Sequence, residues 1–318
     1  MKVSSLKVEL KNQYKDYENQ SLLLSAIRSI SPVPVEISTD GMPHILINGP
    51  FQSSTSLLQR AISRIKTTPK KTEPSVTIFH SEENTRFNEQ LADYSITSDL
   101  GVTSCNHFRA PNWWSSIDWR EYGVSNVPSP RIRSLIKIET LLKPLGNQIF
   151  NRKKRVALFT SHMREPRLTL FQEIEKILPV DGFGRHFNQK VKDHNLSGCF
   201  KEDILKDYLF SLCPENSMYP GYYTEKVPES FAAGCIPITW ADQNIDSDFQ
   251  PGSFINLADY AGGGYCNAFS DLINNKNLEK ISETPLLIKH PDFEKFLDFI
   301  KNIINEALAK HSDAPYST

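Results

Sequence analysis

The chain has 318 residues, with 36 Lys and Arg against 37 Asp and Glu and a formal net charge of −1. That balance, without any long basic run, excludes a generic nucleic-acid binder, whose affinity rests on clustered cations. At about 100–200 residues per domain the length predicts two domains, each able to bury its own core.

The opening MKVSSLKVELKNQYKDYENQ has no apolar core of signal-peptide type. No window reaches the roughly 18 apolar residues of a membrane span. A soluble, cytoplasmic protein is expected, with peripheral attachment at the inner membrane face left open. YENQSLLLSAIRSI has helical spacing at Leu22, Leu23, Ala26, Ile27 and Ile30. VPVEIST and HILING read as strands, SLLQRAISRI as a second amphipathic helix and SVTIFHS as another strand. Units of this kind imply a parallel sheet covered on both faces.

Pro128 and Pro130 mark a connector, and a helix is expected over residues 132–142. A domain boundary is expected near Gly146–Asn151, giving domains 1–148 and 149–318. The pattern then restarts: strand 155–160, helix near 167–178, strand 207–213, helix after 224, strand 235–240. PDFEKFLDFIKNIINEAL puts Phe293, Phe296, Leu297, Ile300 and Ile304 on one face. This terminal helix is expected to pack on the body, with the N-terminal domain as one candidate surface. Its mixed charges are unlike those of a basic membrane-binding helix.

Ligands of open α/β sheets bind beyond the carboxyl ends of the strands. The loops HSEEN, SHMREPR and PENSMYPGYYTEK all follow predicted strands. In the last, Thr224 could cap a helix whose first turn holds Glu225 and Lys226. Lysine beside a helix N-terminus suits an anion such as phosphate, and a neighbouring carboxylate suits sugar hydroxyls. A solvated first-turn ion pair is the plain alternative. Arg164 and Arg167 precede a helix, where an arginine could hold phosphate bidentately or simply lie at the surface. Glu82 or Glu83, at a strand's end, could be a general base or an ordinary first-turn carboxylate. Asp246-Ser247-Asp248 is a short D-x-D string of the sort that holds Mg²⁺ or Mn²⁺ on a nucleotide. The eight histidines lack zinc spacing, and AGGGYC lacks the Lys-Ser/Thr of a P-loop and reads as a surface loop. The five cysteines, Cys105, Cys199, Cys213, Cys235 and Cys266, form no C-x-x-C pair, so reduced and mostly buried thiols are expected.

ENSMYPGYYTEKVPESFAAGCIPITW followed by DFQPGSFINLADY resembles the α-1,3-fucosyltransferases, the bacterial ones in particular. SEENTRFNEQLADYSI agrees, with eight residues between Asn84 and Asp93, and HFRAPNWW and SHMREPR with VDGFGR add further matches. The sequence departs from the pattern at Pro214, where the family usually has Phe, and at Trp113-Trp114, where it has tyrosines. The resemblance implies a GT-B fold, two Rossmann-like domains facing each other across a cleft. It implies an inverting transfer of fucose from GDP-fucose, the donor held mainly by the C-terminal domain. Glu83 is then the general base, chosen over Glu82 by the spacing. Arg167 and Lys226 would neutralise the diphosphate, Glu225 would take donor hydroxyls, and Tyr222 and Asn216 would line the donor pocket, with Arg185 and Glu215 as lesser candidates. Trp113 and Trp114 are acceptor-side candidates, able to stack on a sugar or to be buried. No metal is expected to be bound as an obligatory cofactor, and only Asp248 of the D-x-D string matches a family position. The acceptor would be a glycan, lipid-linked or not, as in lipopolysaccharide O-antigen synthesis or protein glycosylation. Alternatives are another deoxyhexose donor, for example a CDP-sugar, and a non-catalytic sugar-binding protein on the same fold.

Overall fold

The computed structural model describes residues 3–39, 42–51, 74–88, 92–187, 199–260 and 264–312. The expected helix SLLQRAISRI and most of the glycine run in AGGGYC lie outside the described residues. The chain divides into two compact units. Unit 1 comprises Met1–Ala110, Trp119–Asn126 and Asp292–Thr318; unit 2 comprises Pro111–Asp118 and Val127–Pro291. The contacts thus assign 127–148 and the Trp113-Trp114 segment to unit 2, which differs from a single boundary at 148.

Unit 1 is built on a six-stranded sheet: β1 Leu6–Lys11, β2 Val35–Ile37, β3 Ile45–Asn48, β4 Val76–His80, β5 Tyr94–Thr97 and β6 His107–Arg109. The order is β2-β1-β3-β4-β5-β6, and every pairing is parallel. The stretch read as one helix from Tyr17 divides at Ser21, whose backbone is extended (φ −68°, ψ 124°). Ser21 caps the helix Leu22–Ile30 by accepting from the Leu24 N–H at 3.2 Å. Leu22, Leu23, Leu24, Ala26 and Ile27 are buried, and each large aliphatic side chain contributes roughly 1.5–3 kcal/mol on leaving water.

The terminal helix Phe293–Ser312 packs on the same unit, against Leu22–Ile30 and β4. Phe293 stacks on Trp119 with ring centroids 3.9 Å apart, and Phe296 and Phe299 lie against Phe108. No helix among the described residues is long and apolar enough to cross a membrane.

Unit 2 carries β7 Lys153–Phe159, β8 Val180–Phe183, β9 Tyr208–Leu212, β10 Ile236–Thr239 and β11 Ile255–Asn256. The order is β11-β10-β9-β7-β8, again parallel throughout. β9 and β10 are buried at every residue, as strands covered on both faces must be. From β7 the chain first adds β8 on one side, then returns to place β9 on the other. The sheet therefore has its topological switch point between β7 and β9, where open α/β sheets bind ligands.

The expected helix over 132–142 is reduced to Ile138–Leu141. Ile136 instead bridges to Ile117 in extended form, its N–H donating to Ser116 O at 2.9 Å. The helix Lys226–Ala232 follows β9 and is tied to it where Ser230 Oγ donates to Ser211 Oγ at 2.9 Å.

Candidate functional site

The loops after β7 and β9 bring together Arg167, Asn216, Glu215, Thr224, Glu225 and Lys226 at the switch point of unit 2. After β9, Gly221 at φ +95° turns the chain, a conformation closed to most residues with a Cβ. The turn is closed by the Tyr222 N–H donating to Tyr219 O at 3.0 Å. Tyr222 is buried. Its phenol is within electrostatic reach of both Arg167 and Lys226.

Thr224 does not cap the following helix. The N-cap position is Glu225, which has helical φ of −58° and makes no capping hydrogen bond. A buried carboxylate takes the Thr224 groups instead: Glu215 Oε1 accepts from the Thr224 N–H at 2.8 Å, and its two oxygens lie 3.0 and 2.9 Å from the Thr224 hydroxyl. Glu215 also accepts from Lys226 Nζ at 3.0 Å and is only 1% exposed. Lys226 Nζ lies 3.9 Å from Glu225 Oε1. Burial pulls the Lys226 ammonium down, but Glu215 and Glu225 outweigh it and hold it well above the ordinary lysine value. Glu225 is pushed up by burial, yet Lys226, Lys201 and Arg131 bring it down to about 2. It is an ionised acceptor across the neutral range.

Arg167 is the first residue of the helix Arg167–Glu175 and is buried. Its guanidinium donates to Asn216 Oδ1 and lies 3.1 Å from the ring of His162. Burial lowers its pKa, opposed by Glu215, Tyr222 and Glu225. No sequence motif marks His162; it is presented by Thr160, whose hydroxyl donates to His162 O at 2.6 Å. Desolvation and the cations Arg167 and Arg164 push its imidazole down, which favours the neutral ring. Arg185 stands exposed on a turn after β8, with no hydrogen bond to this cluster among the described residues.

Behind the helix Lys226–Ala232 lies a second charged pair. Lys201 Nζ is 2.7 Å from Glu229 Oε2, with side chains 11% and 8% exposed.

In unit 1, Glu82 and Glu83 occupy the loop after β4 and are distinguished by their surroundings. Glu82 is half-buried and accepts from the Tyr14 hydroxyl at 3.3 Å. Glu83 is exposed, its backbone fixed by Ser81, whose hydroxyl accepts from the Glu83 N–H and donates to its carbonyl at 3.1 Å. Asp99 pins the far side of the loop through Arg86 Nη1 at 2.7 Å and the Phe87 N–H at 2.8 Å.

Trp113 and Trp114 are not surface platforms. Both are buried in unit 2, where Trp113 packs on Phe249 at 5.4 Å and donates from Nε1 to Asp248 Oδ2 at 3.1 Å. The same bond gives Asp248 a structural task. Among the described residues no group of three or more His, Cys, Asp or Glu could hold a metal ion. Of the five thiols only Cys213 and Cys235 are buried; Cys199 and Cys266 are half-buried and Cys105 is exposed, a correction to the expectation of mostly buried cysteines.

Residues 149–277 match the C-terminal domain of glycosyltransferase family 10 (fucosyltransferase). Alpha-(1,3)-fucosyltransferase FucT of Helicobacter pylori is 25% identical over 266 residues, which cover 75% of this chain and 55% of that protein. 4-galactosyl-N-acetylglucosaminide 3-alpha-L-fucosyltransferase 9 of Bos taurus is 27% identical over 121 residues, 37% of this chain and 32% of that protein. The match thus spans about half the length of the bacterial relative and a third of the mammalian one. The crystal structure of an α1,3-fucosyltransferase with GDP-fucose superposes with a TM-score of 0.64 at 20% identity, over 100% of this chain and 94% of that one. The two parallel α/β sheets therefore have the GT-B fold of those structures. Residues 149–277 are thus similar to the C-terminal domain of the family 10 fucosyltransferases, and the chain shares the fold of the solved α1,3-fucosyltransferases.

Proposed function

We propose that the chain is an inverting glycosyltransferase that moves L-fucose from GDP-β-L-fucose to a hydroxyl of a glycan, in α-1,3 linkage, during synthesis of a surface polysaccharide such as lipopolysaccharide O-antigen. The observation that carries this reading is the pairing of two cations, Arg167 and Lys226, with an ionised Glu225 at the β7/β9 switch point. Transfer from a nucleotide sugar develops positive charge on the sugar ring and negative charge on the departing diphosphate. Arg167 and Lys226 stabilise the latter as fixed charges that need no reorganisation. Glu225 accepts hydrogen bonds from ribose or fucose hydroxyls. Asn216 and His162, both on Arg167, hold the guanidinium. Glu83 takes the proton of the acceptor hydroxyl as the new glycosidic bond forms, and one displacement inverts the anomeric carbon.

The test has two arms. A thermal-shift comparison of GDP, UDP and CDP reads the donor: GDP is expected to stabilise the protein most, and a response to CDP alone overturns the donor assignment. GDP release from GDP-fucose with a 4-galactosyl-N-acetylglucosaminide acceptor, of the kind named for the Bos taurus relative, reads the reaction. Glu83→Gln is expected to bind GDP as the unaltered chain does and to lose transfer by about 10²–10⁴-fold. Full transfer by that variant removes Glu83 as the base.

A further inference from the structure

We propose that Glu215 and Thr224 are positioning residues for Lys226: together they occupy two of its three ammonium N–H groups and so aim the third at the departing phosphate. The inference rests on the reading of Lys226 as a diphosphate ligand and assigns a task to two residues beneath it. Glu215 lies three residues past β9, its own N–H donating to Trp240 O, one residue past β10, at 3.1 Å, so its carboxylate has a fixed origin.

Three hydrogen bonds then close a ring. The Thr224 hydroxyl has one hydrogen, which goes to Glu215 at 2.9–3.0 Å, and its lone pair accepts from Lys226 Nζ at 2.7 Å. Lys226 Nζ donates its second hydrogen to Glu215 Oε2 at 3.0 Å. An ammonium on a four-carbon stem is otherwise a mobile point charge with three rotatable donors. With two donors fixed, the tetrahedral nitrogen leaves one direction for the third.

Stability alone does not call for this arrangement. A carboxylate only 1% exposed is expensive to desolvate, and buried ion pairs are often no better than apolar residues of the same size. The ring also occupies the hydroxyl of the residue just before the N-cap of the helix Lys226–Ala232, which has no side-chain cap. Glu215 has a second effect in the same geometry, since its carboxylate favours the protonated form of the half-buried lysine.

The test measures GDP release from GDP-fucose, with the disaccharide acceptor or with water, by the full chain and by Thr224→Val, Thr224→Ser and Glu215→Gln. An interaction realised in the transition state appears in kcat, with less change in KM. Thr224→Val is expected to lower kcat at least about tenfold with KM altered by less than about threefold, and Thr224→Ser to stay within about twofold of the unaltered chain. Glu215→Gln is expected to lower kcat similarly and to move the basic limb of its pH profile to lower pH, because Lys226 loses its closest carboxylate. A purely structural role moves the melting temperature and leaves kcat per folded molecule and the pH profile in place; that result overturns the proposal. Thr224→Val indistinguishable from the unaltered chain also overturns it, even if Glu215→Gln does not fold. If the unaltered chain neither binds GDP nor releases it from GDP-fucose, the donor-site reading itself fails, a distinct outcome.

Discussion

Removing Lys201 provides a quantitative test of how the helix Lys226–Ala232 is held. Lys201 Nζ lies 2.7 Å from Glu229 Oε2, and neither side chain is more than 11% exposed. Lys201→Ala leaves the Glu229 carboxylate buried without its partner, and breaking such a pair costs about 3–5 kcal/mol. At about 2–4 °C per kcal/mol for a unit of this size, the melting temperature should fall by about 6–20 °C at pH 8. Burial already pushes the Glu229 carboxyl up, and Lys201 is the main opposing influence, so the variant should raise it further.

A carboxyl whose folded pKa is raised adds stability at low pH, which is lost as pH climbs through the folded pKa. The deficit of Lys201→Ala should therefore shrink on acidification from pH 8 towards pH 5, because a protonated Glu229 strands no charge. The double replacement Lys201→Met with Glu229→Leu should recover most of the loss, since the pair itself contributes little net stability. The assay is thermal unfolding followed by circular dichroism at both pH values. A fall of less than about 2 °C at pH 8, or a deficit that grows on acidification, would refute the reasoning.

Two further outcomes follow from the site. Arg167→Met removes charge-assisted hydrogen bonds of about 1.5–3 kcal/mol, so GDP affinity by calorimetry should fall about 10- to 150-fold; an unchanged Kd would take Arg167 out of the site. Asp248→Ala takes away the acceptor of the Trp113 indole N–H and should destabilise the protein by about 1–3 kcal/mol while leaving GDP affinity unchanged, with or without Mg²⁺. Loss of Mg²⁺-dependent GDP binding in that variant would instead return Asp248 to the donor site.

The strands β3, β4, β7, β9 and β10 were legible because each is a short apolar run ended by polar or turn residues, and β2 lies within VPVEIST, also read as a strand. β1, β5, β6 and β8 were not. Lys7, Glu9 and Lys11 interrupt β1, which buries Leu6 and Val8 yet carries charge on the alternate positions. β5, β6 and β8, with the sequences YSIT, HFR and VDGF, carry polar or glycine residues between or beside their apolar ones, so no apolar run marks them. The failure over 132–142 is tertiary: Ile132 and Ile136 have helical spacing, but Ile136 pairs with Ile117, a partner no local pattern reveals.

At the site, the residue types and their loops could be read from sequence, while their partners could not. Thr224 looked like a cap because the local pattern fits one; Glu215, nine residues earlier, redirects it. Arg167 stood out as a cation, whereas His162 beside it carries no local mark beyond its position in the loop after β7. The tryptophans could serve stacking or burial equally well, and only the Asp248 and Phe249 contacts decide for burial.

The most direct test of the central claim is a crystal structure of this chain with GDP-fucose. The account predicts the diphosphate within hydrogen-bond distance of Arg167 and Lys226, with a ribose or fucose hydroxyl donating to Glu225. A nucleotide bound away from the ends of β7 and β9, or one whose diphosphate touches neither cation, would contradict it.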